Sequence, residues 1–98
     1  MSCRIDRVVG GDGIVVLGIS GRITKQDLDT LRTIVEAERG AVAISLENVE
    51  LVDREVVKFL AQRELSGTVL RNCAAYIREW VTRERVELRN KSGNTNDA

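Results

Sequence analysis

Apolar residues recur along the chain in two patterns of spacing, and the alternation of these patterns predicts a β-β-α-β-α-β-α order of elements. Short, nearly continuous apolar runs bounded by glycine or polar residues are typical of strands. Four such runs occur, at 3–9, 14–20, 41–45 and 68–72, the third ended by Glu47-Asn48. Apolar residues three and four apart are typical of helices. Such spacing follows the last three runs, beginning near Thr24, Arg54 and Ala74.

The connections between these elements predict the fold. Gly10-Gly11-Asp12-Gly13 joins the first two strands, and such turn residues predict an antiparallel hairpin. Single helices separate the later strands, which requires parallel strands joined by right-handed crossovers. We therefore predict an α/β domain over residues 1–88, with a mixed, mostly parallel four-stranded sheet, an antiparallel edge hairpin and three helices. Residues 89–98 carry little apolar surface and are expected to form a disordered tail.

The composition limits the class of protein. The 98 residues make a single domain, and 43% apolar with 31% charged residues is an ordinary globular balance. Fifteen basic and fifteen acidic residues cancel, which argues against nucleic acid as the main partner, because phosphate binding needs a surplus of Lys and Arg. No apolar run reaches the roughly 20 residues of a membrane span, and the N-terminus has no signal-peptide core. We expect a cytoplasmic protein that binds neither nucleic acid nor membrane.

Residue types that carry catalysis are scarce. The chain has no histidine, which removes the commonest general base and the commonest metal ligand. The spacing of Cys3 and Cys73 fits no zinc motif. We expect two small, half-buried thiols, with a redox pair as the alternative. These features predict no enzymatic activity, no metal and no cofactor.

The stretch ISLENVELVDREVVKFLAQ, residues 44–62, places three charged residues at the start of a helix. Asp53 is a good N-cap, because its carboxylate can accept a backbone N–H of the first turn. Glu55, in that turn, is favoured by the helix dipole. The buried stripe is predicted to consist of Val56, Val57, Leu60, Ala61 and Leu65. Helix stability alone could therefore explain the charges.

Phe59 lies off this stripe on a helical wheel, between Glu55 and Arg63. It is either a residue at the edge of the core or an exposed anchor. If it is exposed, it forms a compact apolar and charged patch with Arg54, Glu55 and Arg63, of the sort that proteins recognise.

The last helix carries Tyr76 and Trp80 four residues apart, on one side. We expect this side to pack on the sheet; self-association through Val86 and Leu88 is the alternative. Arginine and glutamate interleave in the same region, and we expect a solvated face with helix-local ion pairs. The residues concerned are Arg71, Arg78, Arg83, Arg85, Arg89, Glu79, Glu84 and Glu87.

The order of elements, with SGRIT at 20–24 and ISLENVELVD at 44–53, resembles the STAS domain family over roughly residues 10–83. That family includes bacterial anti-sigma-factor antagonists, which bind a kinase-like anti-sigma factor or a signalling scaffold. The resemblance implies a switch motif, Asp-Ser-Ser-Gly, at the start of the second helix. Here Asp53 keeps the aspartate, while Arg54, Glu55 and Val56 replace the other three. No hydroxyl-bearing residue lies between Ser45 and Ser66, so no phosphorylation is expected there.

The resemblance implies a non-enzymatic, transcription-regulating signalling module that docks on a protein partner through the corner between the third strand and the second helix. The predicted partner-binding residues are Asp53, Arg54, Glu55, Phe59 and Arg63. Within this hypothesis, Arg54 and Glu55 are specificity charges, or Glu55 is a permanent substitute for phosphoserine. The alternative is a structural domain that forms a homo-oligomer, including a weak homodimer. A nucleotide-binding switch ranks last.

Overall fold

The computed structural model describes residues 3–95, with side chains to Asn90. The elements follow the predicted β-β-α-β-α-β-α order, with a short 3-10 turn, Lys25–Asp27, before the first helix. Their bounds are β1 Cys3–Val9, β2 Val15–Ile23, α1 Leu28–Glu36, β3 Val42–Val52, α2 Arg54–Leu65, β4 Val69–Arg71 and α3 Ala75–Thr95. The predicted α/β class is confirmed.

The sheet has the strand order β1-β2-β3-β4. β1 pairs with β2 antiparallel, while β2 with β3 and β3 with β4 are parallel. The expected break at Glu47-Asn48 is wrong, because β3 is continuous to Val52. The strand is not interrupted; instead, its pairing with β2 shifts register at two places, as it does at β-bulges.

All three helices cover the same face of the sheet. The connections β2-α1-β3 and β3-α2-β4 step across the sheet in one direction, so two right-handed crossovers put α1 and α2 on one side. α3 packs beside α2 and joins the core through Ile77 and Val81, both fully buried. The core therefore lies between one sheet face and the helices. No described element covers the other sheet face.

The last helix differs from expectation in one respect. Trp80 packs against the core, as predicted, but Tyr76 is exposed and its hydroxyl donates to the Glu50 carbonyl at 3.4 Å. The described backbone is helical to Thr95. A disordered tail over 89–98 stays a prediction, and residues 96–98 and the side chains after Asn90 lie outside the described part.

The two cysteines are free and half-buried, as expected. Cys3 belongs to β1 at one edge of the sheet, and Cys73 follows β4 at the other. Three inter-strand spacings of about 4.8 Å separate the two edges, which is too far for an intramolecular disulfide. Burial raises the pKa of both thiols, so they are poor nucleophiles.

Candidate functional site

The start of α2 is fixed by the side chain of Asp53. One carboxylate oxygen, Oδ1, accepts the Val56 backbone N–H at 3.1 Å and caps the helix, as predicted. The other, Oδ2, accepts the backbone N–H of Lys25 at 2.6 Å. One side chain therefore joins the starts of two helical segments. The second bond was not predicted, because it links residues 28 apart in sequence and depends on the tertiary approach of two elements.

The segment before α1 is capped in a matching way. Thr24 is the extended N-cap residue that precedes the 3-10 turn. Its backbone N–H donates to Asp27 Oδ2 at 2.9 Å, the reciprocal half of a capping box. Ile23 pairs with Val52 at the ends of β2 and β3. The two sequence stretches that suggest the family resemblance therefore meet at this corner.

The outward side of α2 is polar and continues from that corner. We call it the α2 outer face; it consists of Arg54, Glu55, Lys58, Gln62 and Leu65. Leu65 was predicted to be buried, but its exposed fraction is 43%. It lies at the C-terminal end of α2, beside Leu88, in a cleft between α2 and α3. The outer face thus has charges at its start and an exposed leucine at its end.

Phe59 does not belong to this face. Its ring is 4% exposed and lies in the core, with the Arg32 guanidinium 5.6 Å from the ring centroid. The core-edge alternative is confirmed and the exposed anchor is wrong. The stripe prediction failed here because α1 and α3 flank α2 on both sides, and the buried arc of α2 is wider than one stripe.

Arg63 is also separate from the outer face. It is nine positions from Arg54, so the two residues lie on opposite sides of the helix. It borders a cleft beside Glu38 and Thr68, and its Nε is buried without a hydrogen-bond partner among the described residues. Of the five predicted site residues, only Asp53, Arg54 and Glu55 lie together, so the compact patch is not formed.

Three ion pairs join α2 to α3. Glu64 accepts hydrogen bonds from both Arg78 and Arg85, the latter at 3.0 Å. Hydrogen bonding to Arg78 holds the pKa of the Glu64 carboxyl below its ordinary value. Arg54 lies 3.8 Å from Glu84, which is itself largely buried. The expectation of helix-local pairs is therefore incomplete.

A helix-local pair does occur between Arg83 and Glu79, at 3.3 Å. The contacts between α2 and α3 could not be predicted from the sequence, because i,i+4 spacing identifies neighbouring side chains within one helix only. They could be inferred only once α2 and α3 are placed side by side.

The corner presents exposed charged side chains of both signs. Arg54 and Glu55 are exposed, and Glu55 lies 3.9 Å from Lys58. Within residues 3–90, no group of three or more His, Cys, Asp or Glu side chains is placed to hold a metal ion. In the same range, no helix is both long and apolar enough to cross a membrane.

Comparisons with known proteins add no identification. No protein-family model matches the chain, and no curated protein sequence matches it. The resemblance to the STAS family therefore rests on the order of elements and on the two stretches that meet at the Asp53 corner.

Proposed function

We propose that the protein is a non-enzymatic regulatory module, STAS-like in kind, that docks on a protein partner through the α2 outer face without serine phosphorylation. The supporting observation is the double hydrogen bonding of Asp53, to Val56 in α2 and to Lys25 before α1. It holds the start of α2 in one position. Charges on such a fixed frame lose little conformational freedom on binding, which is the advantage of preorganised interfaces.

The outer face has the two components that a small docking surface needs. Arg54, Glu55 and Lys58 supply charges of both signs, which select a partner of complementary pattern and speed encounter. Leu65, beside Leu88, supplies exposed apolar surface. In this proposal Leu65 takes the place of Phe59 as the apolar contact.

The geometry favours specificity charges over a phosphoserine substitute at Glu55. The carboxylate of Asp53 already accepts the Val56 amide at the positive end of α2, where a phosphate would bind. Glu55 points to solvent near Lys58, which offsets part of its single charge. A phosphoserine carries about −1.5 to −2. Glu55 is therefore a weak imitation of one.

The test is affinity capture from lysate of the cells that produce the protein, with the wild type and the charge-swapped variant Arg54→Glu/Glu55→Arg. We expect one protein to be captured by the wild type and lost by this variant. The matched control is Glu79→Arg/Arg83→Glu, which swaps an exposed pair on α3 and should capture as the wild type does. Equal capture by all three would contradict docking at this face.

A further inference from the structure

The sheet face opposite the helices has an ordered pattern of its own. Strand pairing places outward residues of all four strands in register, so that they form rows across the sheet. One row, which we call the apolar row, is Val8, Val16, Ala43 and Val69. The next, which we call the ionic row, is Asp6, Gly18, Ser45 and Arg71.

The apolar row exposes side chains that a solvated sheet face would not favour. Val8 is 60% exposed and Val69 52%, one on each edge strand. An antiparallel edge facing water normally alternates apolar-in with polar-out. Cys3 and Ile5 of β1 already face the core, so Val8 breaks that alternation on the outer side. Between these two valines, Val16 is half-buried and Ala43 is 1% exposed. The row is therefore apolar throughout, with its exposed surface at the two edges of the sheet, and a partner laid across the face would bury both edges.

The ionic row carries opposite charges at its two ends. Asp6 is on β1 and Arg71 on β4, with only Gly18 and Ser45 between them. Asp6 has a loose, exposed contact with Arg4 at 3.4 Å, and Arg71 has no ion pair within the described residues. A depression of about 180 Å³ lies at the middle, lined by Gly18, Ser45 and their neighbours. The centre of the row can therefore be approached closely.

We propose that this open sheet face binds a second copy of the chain, in a two-fold symmetric dimer. An axis parallel to the strands, between β2 and β3, places β1 of one copy over β4 of the other. Asp6 then faces Arg71 of the second copy, and this pair occurs twice. Val8 likewise faces Val69, and the larger Val16 faces the small Ala43. Each row is thus complementary to itself, which a symmetric interface requires.

The expected geometry is that of aligned sheet packing, with two sheets about 10 Å apart. The contact is small, since four strands span about 19 Å and the two rows lie only about 7 Å apart along them. That is smaller than a standard specific interface, so we expect a weak dimer with a dissociation constant on the order of 100 μM. The α2 outer face lies on the opposite side of the domain, so the dimer leaves the proposed partner site free.

The test is sedimentation equilibrium of the wild type and of the single variants Asp6→Arg and Arg71→Asp. The wild type should dimerise, and each variant should weaken dimerisation roughly tenfold or more, because each places like charges opposite one another. An equimolar mixture of the two variants should form a heterodimer with nearly wild-type affinity, since Arg faces Asp at both contacts again. Restored association also shows that both variants are folded.

The matched controls are Glu36→Arg and Arg39→Asp, at exposed positions near the end of α1. Both should dimerise as the wild type does. A wild type that stays monomeric up to about 1 mM, which corresponds to negligible affinity, would contradict the proposal. So would dimerisation that the single swaps leave unchanged, or a mixture that fails to associate.

Discussion

Glu64 of α2 links the two longest helices, and its replacement by glutamine tests how α3 is attached to the domain. The carboxylate receives two hydrogen bonds from Arg78 and one from Arg85. Its side chain is 15% exposed, while the two arginines are 37% and 36% exposed. Glutamine keeps the size of the side chain but removes the charge, and its amide nitrogen is a donor facing other donors.

The expected cost follows from these contacts. A hydrogen bond to a charged group contributes about 1.5–3 kcal/mol when well shielded, and solvent screening lowers this for partly exposed arginines. At about 0.5–1 kcal/mol for each of three bonds, Glu64→Gln should lower the free energy of unfolding by about 1.5–3 kcal/mol. With a urea slope of about 1–1.5 kcal/mol/M for a domain of this size, the midpoint should fall by roughly 1–3 M.

The measurement is urea unfolding followed by the fluorescence of Trp80, the only tryptophan, which lies on α3 against the core. Glu79→Gln is the matched control. It removes an exposed pair within α3, with side chains 71% and 74% exposed, and should cost at most about 0.5 kcal/mol. If Glu64→Gln is no more destabilising than Glu79→Gln, the contact of Glu64 with α3 does not stabilise the fold.

Three further predictions use the same assay. Phe59→Ser should cost about 3–5 kcal/mol, as removal of a buried aromatic ring does, whereas Phe59→Leu should cost clearly less; wild-type stability in Phe59→Ser would place the ring outside the core. Asp53→Asn should lower the free energy of unfolding by roughly 1 kcal/mol and Asp53→Ala by roughly 2 kcal/mol, because asparagine offers one acceptor oxygen and alanine none. Equal stability of the two variants would contradict separate hydrogen bonds to Val56 and Lys25. The pKa of Glu64 is lowered in the folded protein, so its contribution is present above its ordinary pKa and is lost as pH falls through the folded pKa. The stability difference between wild type and Glu64→Gln should therefore shrink as the pH falls below the ordinary glutamate pKa of about 4.3, and a constant difference would argue against an ionised carboxylate.

Sequence patterns predicted the elements whose ends are marked by local chemistry. α2 begins after its N-cap Asp53 and ends before Ser66, where capping and turn residues coincide. Local signals were misleading where tertiary structure overrides them. Glu47-Asn48 is typical of a strand end, yet the pairing of β3 with β2 continues through Asn48, because the ladder of backbone hydrogen bonds does not depend on side-chain polarity.

The candidate site shows the same division. Asp53 as a cap follows from residue type and position, so it was predicted. The burial of Phe59 was left open, because a helical wheel does not tell how many neighbours flank a helix. The bond from Lys25 to Asp53 and the contacts of Glu64 with α3 join residues far apart in sequence. Such contacts form only when the elements pack together, and no local sequence pattern indicates which residues will then be neighbours.

Site-specific photo-crosslinking in the producing cells shows whether a protein partner contacts the α2 outer face. A benzophenone amino acid would replace Glu55 or Lys58, both on that face, and Glu36 on α1 as the control. We expect the same discrete adduct from positions 55 and 58 and none from position 36. No adduct at 55 and 58, or an equal one at 36, would contradict such a contact.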